Sequence, residues 1–133
     1  MNQTLYDDLG KLVVRLTVGG LMLLHGIAKL GSPTALDWIG GQLQGVGLPS
    51  FIAYGVYIGE IIAPLMVIAG VSCRIGALIV CANMLFAIGL AHTGDLFVLK
   101  NSGGWALELQ GFYLLCAAVV AMFGSGRFAI RPD

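Results

Sequence analysis

The sequence predicts an all-α membrane protein: four transmembrane helices in an antiparallel bundle, with a short amphipathic interfacial helix between the first and second. Three observations carry that expectation. Of 133 residues, 58% are hydrophobic and 11% charged, against roughly 25% charged in average globular domains, so the chain cannot clothe itself in polar surface. Its apolar residues gather in four runs close to the roughly 20 residues needed to cross hydrocarbon. Those runs lack the two-residue alternation of barrel strands, which leaves helices to satisfy the backbone in lipid. The whole chain, 1–133, reads as a single transmembrane domain. Its formal net charge of zero argues against a nucleic-acid partner.

The first span, 12–30, contains RLTVGGLMLLHGIAKL. In a helix, Arg15, Gly19, Met22, Gly26 and Lys29 repeat every three or four residues and share one face. A cation near the bilayer centre costs roughly 2.5–3.5 kcal/mol on insertion scales, and two glycines let a neighbouring backbone come close. This face should therefore look into the protein. Asp7 and Asp8 precede the run and no small-residue cleavage site follows it, so the span is expected to be retained. In the connection 31–50, Pro33 opens a segment with Leu36, Ile39 and Leu43 beside Trp38, the interfacial helix. Gly45, Gly47 and Pro49 then break it.

The second span, 51–70, carries Glu60 near its middle. Pro64 lacks the N–H that would bond the Glu60 carbonyl, so a kink is expected there. Gly55, Gly59 and Ala63 form a close-packing stripe. The third span, 75–92, begins after Arg74, holds Asn83 as an interhelical hydrogen-bonding residue, and closes on His92. A partly apolar connection, TGDLFVLKNSGG, folds back over the bundle. The fourth span, 105–123, opens with Trp105 and Glu108, and the tail GSGRFAIRPD reads as an exposed end. Trp38 and Trp105 read as residues of an outer aromatic belt. Cys73, Cys81 and Cys116 show no CxxC and no metal-ligand spacing with histidine, so they read as small buried apolar residues and no metal site is expected.

Four spans would put both termini on one side. Lys11, Arg15, Arg74, Arg127 and Arg131 would collect there, against Lys29 and Lys100 on the other, so the termini are expected in the cytoplasm. On that topology His25, Lys29, His92 and Glu108 share the outer third of the bundle, with Glu60 beneath them. Ionisable residues inside a membrane usually face a bundle interior or water, so these residues, with Trp105, are the candidates for ligand binding or proton handling. The plainer alternative pairs Glu60 with Lys29 or Arg15 simply to hold the helices together. Arg15, Arg74 and Asn83 read as structural polar residues.

At this point a family resemblance emerges. RLTVGGLMLLHGIAKLGSP resembles the first span of DoxX-like membrane proteins, and GEIIAPLMVIAGVSCRIGAL is similar to that family's Gly-x-Glu, Gly, Arg and small-residue pattern. Gly-Leu-Pro before the second span and Gly-Ser-Gly after the fourth agree. The resemblance implies a small bacterial inner-membrane, multi-pass protein whose recurrent polar residues fall on Arg15, His25, Lys29, Glu60 and Arg74. Some relatives are thiosulfate:quinone oxidoreductase subunits and others belong to oxidative-stress complexes. The chain departs from many relatives at its end, RFAIRPD.

The leading functional expectation is a quinone-linked redox component, acting with a protein partner or as a homo-oligomer. Its pocket would hold a quinone headgroup or similar small hydrophobic ligand between His25, Glu60, His92 and Glu108. A quinone carbonyl needs a donor such as an imidazole or ammonium, and its reduction needs protons from nearby acids. No dinucleotide fingerprint or cluster ligand set is present, so electrons would come from elsewhere. Two other classes stay open: a carrier or channel for protons, weak acids or metabolites, built on Glu60 beside the Pro64 break, and a structural assembly subunit. His25 and His92 could in principle ligate haem b axially, but no further histidine stands behind them. Purified protein is accordingly expected to lack a Soret band; a Soret band would restore haem.

Overall fold

The computed structural model describes residues 2–133. Helix α1 runs Gln3–Leu30, α2 Pro33–Gly45, α3 Ala63–Ala69, α4 Cys73–Ala91 and α5 Glu108–Phe123. Between α2 and α3 lie a 3-10 turn, Ser50–Gly55, and a π turn, Ile58–Ile62. Three helical segments are long and apolar enough to cross a membrane: Gln3–Leu30, Ser50–Ala69 and Cys73–Ala91. The expectation of four spans is therefore corrected to three, with further helices that do not qualify.

The fourth falls short because its helix starts three residues late. Trp105 is held in an antiparallel bridge with Leu99, and Leu107, in a non-helical conformation, becomes the N-cap. The 16 residues that remain rise about 24 Å, against a hydrocarbon core of about 30 Å.

Helix α1 begins earlier than its apolar run because Asn2 caps it, the side chain accepting the Leu5 N–H at 2.9 Å. This leaves one orphan donor fewer at the first turn. The buried residues of α1 include Arg15, Gly19, Met22 and Gly26, the face expected to look inward. Val18 and Met22 join Ala63, Val80, Met84, Tyr113 and Ala117 in a core shared by α1, α3, α4 and α5.

Pro64 leaves its mark as a π turn. The Ala63 N–H reaches back five residues to the Ile58 carbonyl, and proline supplies no N–H for Glu60. The second span is thus a 3-10 turn, a π turn and a seven-residue α-helix in series. Helix α3 ends at Gly70 in the left-handed region (φ 72°), where the N–H groups of Gly70 and Val71 both reach the Met66 carbonyl, a glycine-dependent stop.

Arg15 ties the basic end together. It is 1% exposed, and no carboxylate pairs with it among the described residues. Its Nε donates to Val67 O at 3.0 Å and Nη2 to Ile68 O at 2.9 Å, both in the last turn of α3, where the helix dipole is negative. Nη1 donates to Ser125 O (2.9 Å) and Phe128 O (2.7 Å) in the C-terminal tail. The tail is thus not a free end. Ile130 and Arg131 donate backbone bonds to Ala69 and Gly70, Asp133 accepts from the Arg74 N–H, and the largely buried Asp8 pairs with Arg127 at 3.2 Å.

Replacing Arg15 with leucine would remove the donor of four carbonyls, two in buried and two in part-buried hydrogen bonds. Since hydrogen bonds from a charged donor contribute about 1.5–3 kcal/mol each, Arg15→Leu should lower stability by at least about 3 kcal/mol. Arg127→Ala removes only the half-exposed partner of Asp8, which keeps the backbone N–H of residue 127, and should cost less, about 1 kcal/mol. Thermal unfolding of both variants in detergent checks the ordering; equal losses would contradict it.

Candidate functional site

A cavity of about 470 Å³ lies between α1, α2, the broken second span, α4 and α5. Its walls are mostly apolar: Met22 of α1; Trp38, Ile39 and Leu43 of α2; Ile52 and Val56; Ile79, Phe86 and Leu90 of α4. Polar groups enter at a few points: His25 and Lys29 from α1, Glu60 from the π turn, Asn83 and His92 at α4, Gln110 and Tyr113 from α5. An apolar pocket with a few convergent polar groups is the usual form of a small-molecule site.

Glu60 anchors the polar side. It is 5% exposed, and each carboxylate oxygen has a partner: Oε1 takes Lys29 Nζ at 2.5 Å, and Oε2 takes Asn83 Nδ2 at 3.3 Å. Two helices therefore fix one carboxylate, and the charge is matched by an ammonium, without which burial would cost several kcal/mol. Of the two pairings read from sequence, Lys29 takes Glu60 and Arg15 does not. The Lys29 side chain is a quarter exposed and an ammonium has three donors, so it can serve Glu60 and still face the cavity.

Two glycines permit this geometry. A Cβ on Gly26 would collide with the Glu60 carbonyl, the group that Pro64 leaves without its helical donor, and with the Ile61 side chain. On Gly59 it would come within 2.6 Å of Asn83. Gly55, expected in the same packing stripe, has open space at that position and does not close-pack.

The sequence candidates divide. His25, Lys29, Glu60 and His92 line the one cavity, and Asn83, read as structural only, joins them. His25 meets Tyr113 edge-on, ring centroids 5.7 Å apart at 87°, and His92 Nδ1 lies 3.4 Å from Asp95 Oδ2.

Glu108 and Trp105 do not line the cavity. Glu108 is exposed and takes Lys100 at 3.1 Å; two residues on, about 200° round the helix, Gln110 faces the cavity instead. Trp105 donates its indole N–H to Leu96 O, whereas Trp38 supplies wall. Arg74 contributes to the opposite end, through the tail. Gln110 and Tyr113 were missed by sequence reasoning: spaced i, i+3, they share a face, and the signal was polar atoms inside an apolar run. Among the described residues no group of three or more His, Cys, Asp or Glu is placed to hold a metal ion.

Fold and cavity together define a membrane-embedded, multi-helix protein with a largely apolar internal cavity. The DoxX family model matches residues 10–93, more than half the chain, and the protein belongs to the DoxX family. It is also 29% identical over 126 residues to a Bacillus subtilis (strain 168) protein named "Putative oxidoreductase CatD", covering 94% of this chain and 87% of that one. No solved structure matches.

The close approach at Gly26 gives a direct test. Gly26→Ala should push α1 from the π turn and cost about 1–3 kcal/mol, as overpacking does, whereas Gly55→Ala should stay within about 0.5 kcal/mol. Thermal unfolding distinguishes them, and a neutral Gly26→Ala would contradict the packing described.

Proposed function

We propose that this chain is the ligand-binding membrane component of a quinone-linked oxidoreductase or oxidative-stress system in a bacterial inner membrane. The observation that carries the reading is the join of an apolar cavity to a desolvated Lys29–Glu60 pair. Membership of the DoxX family, and a relative whose name declares it an oxidoreductase, support the redox part.

The chemistry follows from the lining. The apolar walls suit a ring and the start of an isoprenoid chain. A Lys29 N–H not engaged by Glu60 polarises a quinone carbonyl, as ammonium donors do where negative charge develops. Reduction to the hydroquinone adds two electrons and two protons. The electrons come from a partner redox protein, because no electron-carrying motif was found in this sequence. The protons come from side chains bordering the cavity that can donate them, His25 and His92 among them.

The basic end carries Lys11, Arg15, Arg74, Arg127 and Arg131, and by the positive-inside rule we read it as the cytoplasmic end. Lys29 and the cavity then lie toward the outer face.

Titration of pure protein with a water-soluble short-chain quinone analogue tests this, read by quenching of tryptophan fluorescence, since Trp38 lines the cavity. Saturable binding is expected, and His92→Ala or Gln110→Ala should weaken it about tenfold, the loss of one hydrogen bond of about 1.4 kcal/mol. Absence of saturable binding would end the quinone reading. One observation favours a second reading: Glu60 sits on a broken span, as transporter sites do. Proteoliposome proton flux abolished by Glu60→Gln would favour that carrier.

A further inference from the structure

Residues 96–106 form a small antiparallel hairpin between α4 and α5, and its composition fits neither an aqueous loop nor the cavity. Leu99 and Trp105 are bridged, Ala106 N donates to Val98 O, Lys100 N to Gly104 O, and Gly103 N to Lys100 O. The Trp105 indole N–H is also taken, by Leu96 O. The hairpin thus satisfies much of its own backbone, the condition for irregular chain to approach hydrocarbon.

Phe97 lies in the turn that leads into the bridge, and Leu99 in the bridge itself. Together they give the hairpin a bare apolar face: Phe97 is 96% exposed and Leu99 69%. An aqueous loop would gain nothing from presenting it. Around it are the residues of a headgroup boundary, with Lys100 at the base of a polar turn, Asn101-Ser102-Gly103-Gly104, and Trp105 beside it. The hairpin is seated on the first turns of α5, where Lys100 pairs with Glu108 and the Trp105 ring packs over Gly111. The neighbouring residues of those turns, Leu109 and Phe112, are themselves apolar and exposed. Exposed apolar side chains thus occur on the hairpin and on the first turns of α5 alike, with the Lys100–Glu108 pair between the two elements.

We propose that this hairpin is a membrane-interface anchor: Phe97 and Leu99 lie among the acyl chains of the bilayer, and the polar turn sits at headgroup level. His92, which lines the cavity, is four residues before Leu96, so the anchor holds one margin of the cavity at the lipid boundary. The inference is independent of which ligand the cavity takes.

The test replaces Phe97, and separately Leu99, with the photoreactive analogue p-benzoylphenylalanine, with Asn101 as control. The full chain is reconstituted alone in phosphatidylethanolamine–phosphatidylglycerol vesicles, irradiated, and its adducts read by mass spectrometry and gel. Lipid adducts at positions 97 and 99, several-fold above those at 101, are expected. Absence of lipid adducts at 97 and 99, or equal yields at all three positions, would overturn the anchor. So would a dimer crosslink in their place that grows with protein-to-lipid ratio, which would assign the face to a second copy. Each variant is first required to match the parent's unfolding temperature, and Phe97→Leu, which keeps an apolar group without the probe, gives a second measurement. It should leave vesicle flotation unchanged and unfolding in lipid within error, whereas Phe97→Asp should lower unfolding temperature in lipid but not in detergent; no difference between lipid and detergent for Phe97→Asp would also overturn the proposal.

Discussion

A single guanidinium, buried with no counter-charge among the described residues, sets the architecture of the basic end. Backbone carbonyls do for Arg15 what a carboxylate usually does for a buried arginine: two close the last turn of α3 and two belong to the tail beyond α5. Partial negative charge at a helix C-terminus, reinforced by two further carbonyls, is spread over several directions, which suits a planar fork with five donors better than a point charge. The consequence is connective. Residues more than 110 positions apart in sequence meet at one side chain, and α1, α3 and the tail are held in register before any apolar contact is counted.

The other end of α1 is organised by a different economy of hydrogen bonds. Pro64 removes one donor from the second span, the chain responds with a π turn, and the Glu60 carbonyl, which Pro64 cannot serve, comes to rest against Gly26. The carboxylate of the same residue then faces Lys29 and Asn83. Backbone irregularity, a glycine on the neighbouring helix and a buried ion pair are thus parts of one arrangement, and π turns of this kind often accompany functional sites. Arg15 and Lys29 lie on one face of one helix, yet the first serves cohesion and the second borders a cavity.

Much of this was written in the chain. The stripe Arg15–Gly19–Met22–Gly26 reads as a buried face because cations and glycines are otherwise costly in an apolar helix, and the structure buries it. Pro64 announces its break, although the sequence does not say whether the break is a kink or a π turn; that depends on whether the N–H of Ala63, just before the proline, reaches back to Ile58. The fourth span was misread for a physical reason. Hydropathy continues through Trp105, Ala106 and Leu107, but Leu99 claims Trp105 in a bridge and the helix starts late. The same late start turns Glu108 away from the cavity and gives its place to Gln110 and Tyr113, a matter of 200° that no depth argument resolves. The tail is exposed over most of its length, as its polar, glycine-rich letters suggest; what they do not announce is that its carbonyls also meet Arg15.

The cavity is closed on one side by a part of the chain that is not among the long apolar helices. Helix α2 contributes Trp38, Ile39 and Leu43 and rests chiefly on the 3-10 turn that follows it, with lighter contact to α1 and α4. Walls and cover therefore have separate mechanical attachments: the walls are fixed by Arg15 and the Glu60 pair, while the cover is tethered through short connections at its two ends. Substitutions in α2 can in consequence tune how long a guest stays without altering the chemistry of the groups that meet it, so residence time and reactivity are free to evolve apart.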